Sequence, residues 1–149
     1  MRITRIDHVA VCVADLDKAL PPWLKILGLT MGPRELVETQ KTEALFVLTP
    51  EEAGACVELI APAGGNLGLE KFLAQRDGKA GLHHIAFAVD DLAAALRELD
   101  AAGVPLIDKV PRPGARGHQV GFLHPKAADG VLVELVSDHH HPHHPSESR

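Results

Sequence analysis

The chain contains a partial copy of itself. Leu82-His83-His84-Ile85-Ala86-Phe87-Ala88-Val89-Asp90-Asp91-Leu92 can be laid on Ile6-Asp7-His8-Val9-Ala10-Val11-Cys12-Val13-Ala14-Asp15-Leu16, an offset of 76 positions (84 − 8). The same offset carries Cys56-Val57-Glu58-Leu59-Ile60 onto Leu132-Val133-Glu134-Leu135-Val136 (134 − 58). An internal repeat constrains the architecture before any local signal does, because both copies must be built from the same elements.

Residues 3–14 read as a strand, with Val9, Val11 and Val13 on one face and His8, Ala10 and Cys12 on the other. Asp15 or Asp17 caps a following helix whose apolar stripe is Leu16, Leu20, Leu24 and Leu27. Pro21 and Pro22 break or restart that helix, and Gly28 ends it. Residues 30–39 are weakly patterned; 43–48 and 55–61 read as strands around a turn at 50–54, and 62–66 as a loop. A short helix over 69–76 then crosses between the halves, broken by Asp77-Gly78-Lys79. In the second copy a helix over 92–102 presents Leu92, Leu96 and Leu99 and stops at Gly103, and strands follow at 104–110, 119–123 and 131–136.

Each half therefore reads as one strand, one helix and three more strands, an α+β chain of two tandem βαβββ modules. Module one spans about residues 3–62, the connecting helix about 67–77 and module two about 81–137, within a single domain over 1–137. The His-rich tail over 138–149 is of low complexity and is predicted to be disordered, so it carries no part of the site.

The run Val131-Leu132-Val133-Glu134-Leu135-Val136 is apolar but for one carboxylate. Burying that group is costly unless a cation or a proton neutralises it. The repeat pairs it with Glu58, and pairs His8 with His84. Taken singly, a strand histidine is an ordinary core residue and a strand glutamate an ordinary surface one. Four residues of ligand type on one offset, in the first and last strands of each half, point instead to a divalent ion. Mn, Co, Ni, Zn and Fe all suit two imidazoles and two carboxylates. Such a set leaves two positions of a six-coordinate ion for a chelating substrate, and the ion then stabilises a developing oxyanion. Enolisation, isomerisation and oxygen insertion are the reactions of that kind of centre. His83 matches Asp7 rather than His8, so it is expected to face the other way in a structural role.

These residues resemble the vicinal oxygen chelate superfamily, which includes glyoxalase I, ring-cleaving dioxygenases and resistance proteins. The second half is similar to methylmalonyl-CoA epimerases over residues 82–91, Pro111-Arg112-Pro113-Gly114-Ala115-Arg116-Gly117, and Phe122-Leu123-His124-Pro125-Lys126 through Gly130-Val131-Leu132-Val133-Glu134-Leu135. Asp7-His8-Val9-Ala10-Val11 and Leu27-Gly28-Leu29 match in the first half, so the resemblance covers roughly residues 4–136.

The resemblance implies a curved, partly closed mixed sheet around a metal site. It implies Co, Mn, Ni or Zn held by His8, Glu58, His84 and Glu134, with cobalt among the expected ions. It also implies epimerisation of (R)- and (S)-methylmalonyl-CoA by removal and return of the C2 proton through an enolate, Glu134 doubling as an acid/base. A second catalytic glutamate belongs to a first-half strand of the family. Here an ungapped match puts Thr39 at its place, with Glu38 one residue early and Glu43 at the parity of 39. A one-residue slip turns a strand side chain to the opposite face and a bulge can restore it, so Glu38 is the candidate second base. Arg112, Arg116, His118 and Lys126 are the candidates for CoA phosphates, and a homodimer is expected. Gly114 and Gly117 would let backbone approach a ligand, although a Pro/Gly-rich turn with solvated charges has the same composition.

Composition closes other routes. A formal charge of −5 argues against nucleic acid, and one Trp, four Phe and no Tyr leave little for a stacking surface. Cys12 and Cys56 lie in apolar strand patterns and read as reduced thiols. No apolar run reaches the roughly 20 residues of a membrane span, and Met1 leads straight into a strand with no signal-peptide pattern, so a cytoplasmic protein is expected. The alternatives to an epimerase are another superfamily enzyme, such as a glyoxalase-like isomerase or a lyase, or a non-catalytic small-molecule-binding protein.

Overall fold

The computed structural model describes residues 1–49 and 54–138. The His-rich segment 139–149 and most of the turn expected at 50–54 lie outside the described residues.

The alternating first strand forms as β1 (Ile3–Cys12). Asp15 caps α1 (Leu16–Pro21) by accepting from the Lys18 N–H. The two prolines do not end the helix: Pro22–Ile26 continues it as a single π turn, which absorbs the missing donors. Gly28, at φ +69°, turns the chain out. Leu27 is exposed and leaves the expected stripe, because the wider turn rotates it off the buried face. Next comes β2 (Thr30–Val37), a strand that weak patterning concealed. It is an edge strand, mostly exposed, so no burial periodicity marks it. β3 (Thr42–Leu48) and β4 (Cys56–Pro62) follow as expected, and α2 (Leu67–Ala74) is capped by the Asn66 side chain, which accepts from Leu69 N–H.

The second copy gives β5 (Gly81–Val89) and α3 (Leu92–Ala101), the latter capped by Asp91 as α1 is by Asp15. The strand expected over 104–110 does not form. Pro105 and Pro111 interrupt its donors, and only Leu106 bridges to Leu123, while Ile107 N and Asp108 N both donate to Phe122 O. Its place in the repeat is taken by the two-residue β6 (Arg112–Pro113). β7 (Gln119–Leu123) and β8 (Val133–Ser137) complete the chain.

All eight strands form one mixed sheet in the order β2-β3-β4-β1-β5-β8-β7-β6, curled into a half-barrel, an α+β fold. In each half the first strand pairs parallel with the last, β1 with β4 and β5 with β8, and the halves join where β1 meets β5 antiparallel. Side-chain alternation then sorts the residues. One face of the sheet packs on the helices: Val11, Val13, Leu45, Val47 and Leu59 under α1, and Val89 and Leu135 under α3. Leu96 of α3 is fully buried there, and truncating such a leucine to alanine costs about 2–5 kcal/mol. The concave face carries His8, Ala10, Cys12, Glu58, Ile60, His84, Ala86 and Glu134, closed on the first-half side by Leu69 and Leu73 of α2. Among the described residues no helix is long and apolar enough to cross a membrane. Cys12 and Cys56 are free thiols, the first buried and the second half-buried.

Candidate metal centre and cavity

Strand register brings the four repeat-related residues together. Across the central seam Ala10 faces His84 and Ala86 faces His8, while Glu58 sits beside Ala10 and Glu134 beside Ala86. The two alanines are fully buried and leave the space between the longer side chains open. Donor atoms of His8, Glu58 and His84 all lie within 4.8 Å of one another. His8 Nε2 is 2.8 Å from Glu58 Oε2, 3.4 Å from Glu134 Oε2 and 3.4 Å from His84 Nε2, and His84 Nε2 is 2.7 Å from Glu134 Oε2. An octahedral ion with bonds of about 2.1 Å puts adjacent donors roughly 3 Å apart. The residues present therefore fit a divalent ion in donor type and in spacing. All four are buried: His8 is 3%, Glu58 7%, His84 8% and Glu134 5% exposed. Phe46 and Phe122, themselves one repeat apart, set their rings edge-on to His8 and His84 at 5.5 and 5.3 Å.

Without a metal the cluster holds itself together by protonation. Burial disfavours the His8 imidazolium, but the Asp7, Glu134 and Glu58 carboxylates outweigh it and push the pKa up to about 12. Burial would likewise raise Glu134, yet hydrogen bonds from His8 and His84 bring it down to about 2. A divalent cation would take over the role of that proton.

Asp7 and His83 form the outer layer. Asp7 Oδ2 is 2.7 Å from His8 Nδ1, and His83 Nδ1 is 2.8 Å from His84 Nδ1. His83 therefore does not turn away, as its parity implied. The β1–β5 register steps from Ala10–His84 to Val11–Leu82, leaving His83 as the extra residue of a bulge, and a bulge re-aims a side chain. Asp7 is the extra residue of the matching bulge on β1, between Ile6–Phe87 and His8–Ala86. With Nδ1–H donated outward, His8 and His84 are each left with Nε2 free to serve a metal.

The four residues open into a cavity of about 360 Å³, whose wall also includes Thr39, Lys41, Arg112, Arg116 and His118. Glu38 is exposed and outside that wall. It begins a tight 3-10 turn, Glu38–Gln40, after the last residue of β2, and that turn presents Thr39 and Gln40 to the cavity instead. No bulge brings Glu38 back. Glu43, on β3, pairs with Ala61 of β4 and is also outside the wall. Lys126 stands exposed on the turn after β7 and is absent from the wall, whereas Arg112 and His118 belong to it. Sequence reasoning missed Lys41 and Asp7 as site residues, though Asp7 carried a signal in standing directly before a repeat-marked histidine.

The chain belongs to the glyoxalase/bleomycin resistance protein/dioxygenase superfamily, whose family model matches residues 7–122. Within it, the chain is similar to methylmalonyl-CoA epimerases. It is 34% identical to the ethylmalonyl-CoA/methylmalonyl-CoA epimerase of Cereibacter sphaeroides, over 89% of this chain and 97% of that one. The crystal structure of methylmalonyl-CoA epimerase from Mycobacterium tuberculosis superposes with a TM-score of 0.83 at 36% identity, covering 91% and 88% of the two chains. A methylmalonyl-CoA epimerase in complex with methylmalonyl-CoA and NH4+ matches at 30% identity and a TM-score of 0.82, over 93% of this chain and 97% of that one.

Proposed function

We propose that this protein interconverts (R)- and (S)-methylmalonyl-CoA, with a divalent ion held by His8, Glu58, His84 and Glu134. The observation that carries the reading is the convergence of these four buried donors on one cavity wall, in a chain similar to epimerases over most of its length. A bound ion of this class, such as Co, Mn, Ni or Zn, would supply Lewis acidity to the enolate oxygens. The chain's own part is to orient and to move protons. Glu134 is the carboxylate assigned to the C2 proton, because it is buried at the donor cluster and lines the cavity. Lys41, which lines the same cavity, is a further proton-bearing group there. Phe46, Phe122 and Val120 exclude water from the reacting carbon. Lys126 and Arg112 are assigned to CoA phosphates, which Arg and Lys recognise as charged donors. A homodimer is the expected assembly, which sedimentation equilibrium checks.

The test is direct. Metal-loaded protein is incubated with methylmalonyl-CoA in heavy water and deuteration at C2 is followed by NMR. Exchange that depends on added metal supports the reading; none above background, with metal bound, sinks it. A parallel arm with the hemithioacetal of methylglyoxal and glutathione distinguishes a glyoxalase-like isomerase.

A further inference from the structure

Arg116 was expected at the outer, phosphate end of a CoA thioester. Its side chain instead reaches the centre of the site. The guanidinium lies 3.8 Å over the face of Phe46, whose ring meets His8 edge-on at 5.5 Å. It also approaches Asp7 Oδ2 at 3.4 Å, the same oxygen that binds His8 Nδ1. One aromatic ring and one carboxylate thus separate Arg116 from a metal-ligand histidine.

The loop that delivers it, in the second half, is held by two residues of the first. Glu35 Oε2 accepts the Arg116 N–H at 2.9 Å, and Thr39 Oγ1 donates to Pro113 O at 2.9 Å. Thr39 therefore works as a clasp on this loop. Arg116 itself sits at φ +56°, a left-handed conformation uncommon for a long side chain, and such strain persists where surrounding structure over-determines it, often at ligand clamps.

Asp7 does not require this cation. Arg5 binds its other oxygen at 2.8 Å, and His8 binds Oδ2 at 2.7 Å. The contacts of Arg116 are long by comparison, 3.4 Å to Asp7 and 4.0 Å to Cys56 Sγ. A guanidinium has five N–H donors in a planar fork that matches a carboxylate. On the wall of the cavity, its charge is available to an anion inside.

We propose that Arg116 is a specificity-determining residue that clamps a free carboxylate of the substrate beside the metal, so that the cavity selects malonate-type acyl groups over singly charged or neutral chelators. The choice of a malonyl thioester rests on the epimerase reading; the clamp itself does not. Phe46 holds the guanidinium face, Asp7 fixes its rim, and the remaining N–H edge meets the carboxylate.

The test uses metal-loaded protein and two probes, malonate and acetohydroxamate, with affinities measured by titration calorimetry and metal content checked for every variant. Acetohydroxamate chelates through two oxygens without a second carboxylate. Arg116→Met keeps an apolar chain over Phe46, and Arg116→Lys keeps the charge without the fork. The expected result is a fall of about 10- to 100-fold in the malonate-to-acetohydroxamate affinity ratio for Arg116→Met, the range for losing a charge-assisted hydrogen bond, with Arg116→Lys in between. An unchanged ratio overturns the proposal, whether both affinities hold or both fall together. If Arg116→Met shows this ratio change but the parent protein shows no C2 exchange, the clamp stands and the epimerase reading fails. If it exchanges C2 while the ratio is insensitive to Arg116, the reverse holds.

Discussion

Asp7 and His83 occupy the same place in the two halves, each the extra residue of a β-bulge and each hydrogen-bonded to Nδ1 of the histidine that follows it. The geometry is duplicated but the chemistry is not: one histidine leans on a carboxylate, the other on an imidazole. Burial and the neighbouring His84 lower the His83 pKa to about 4, so it stays neutral near pH 7 and can accept from His84 Nδ1–H. A carboxylate raises the basicity of its histidine more than a neutral acceptor does.

Asp7→Asn, which removes a charge, is therefore expected to weaken metal binding by about 10- to 100-fold, and His83→Gln by less, since it exchanges one neutral acceptor for another. Competition with a chromogenic chelator measures both. Equal losses for the two variants would show that charge in the outer layer is irrelevant.

Proton release on metal binding follows from His8. Its pKa of about 12 in the metal-free protein means that an ion must displace a proton at neutral pH. Calorimetry in buffers of different ionisation enthalpy should find about one proton released, and affinity rising about tenfold per pH unit above neutrality. Stability has the opposite slope. Because folding raises His8 from its ordinary 6.5, its contribution is complete below pH 6.5 and declines as pH climbs towards 12. Folding lowers Glu134 from 4.5 to about 2, so its contribution is present above 4.5 and lost as pH falls through 2. These two groups favour metal-free protein most between about pH 4.5 and 6.5. Bound metal should flatten the alkaline decline, which melting curves with and without chelator would detect.

Much of this centre was legible in the sequence, for a physical reason. Side-chain alternation and the 76-residue offset together fix which strand positions share the concave face, and so selected His8, Glu58, His84 and Glu134. Alternation fails at a bulge, and the same rule therefore misdirected His83. Burial patterning fails at an exposed edge, which concealed Thr30–Val37. The segment 104–110 has strand composition, but Pro105 within it and Pro111 just after it leave it almost no ladder to join. Arg116 was visible as a charge, but its reach to Phe46 depends on a left-handed residue in a loop, which composition does not reveal.

The second acid/base is a sharper case. Glu38 is exposed outside the cavity, so Glu38→Ala should leave C2 exchange within about twofold of the parent, as for surface substitutions away from a site. Glu134→Gln should abolish it and weaken metal binding as well. A large loss in Glu38→Ala would mean that the 38–40 turn rearranges when substrate binds.

The last prediction concerns the loop that carries Arg116. Gly114 has extended dihedrals, φ −127° and ψ −165°, which any residue adopts, so backbone strain is no obstacle to Gly114→Ala. The obstacle is contact: an added Cβ would stand 2.6 Å from Val120 Cγ1 and 3.1 Å from Cγ2. Val120 is buried among Ala86, Phe122 and Val136 and has little room to yield. Overpacking of this kind costs about 1–3 kcal/mol, and it should push the loop off β7 and carry Arg116 with it. Gly114→Ala is thus expected to lower both the melting temperature and the preference for malonate. Adding Val120→Ala makes space for the new methyl group and should restore part of both losses, a favourable coupling in the double-mutant cycle. If the double variant is merely the sum of its parts, close packing of Gly114 on Val120 is not what positions the clamp.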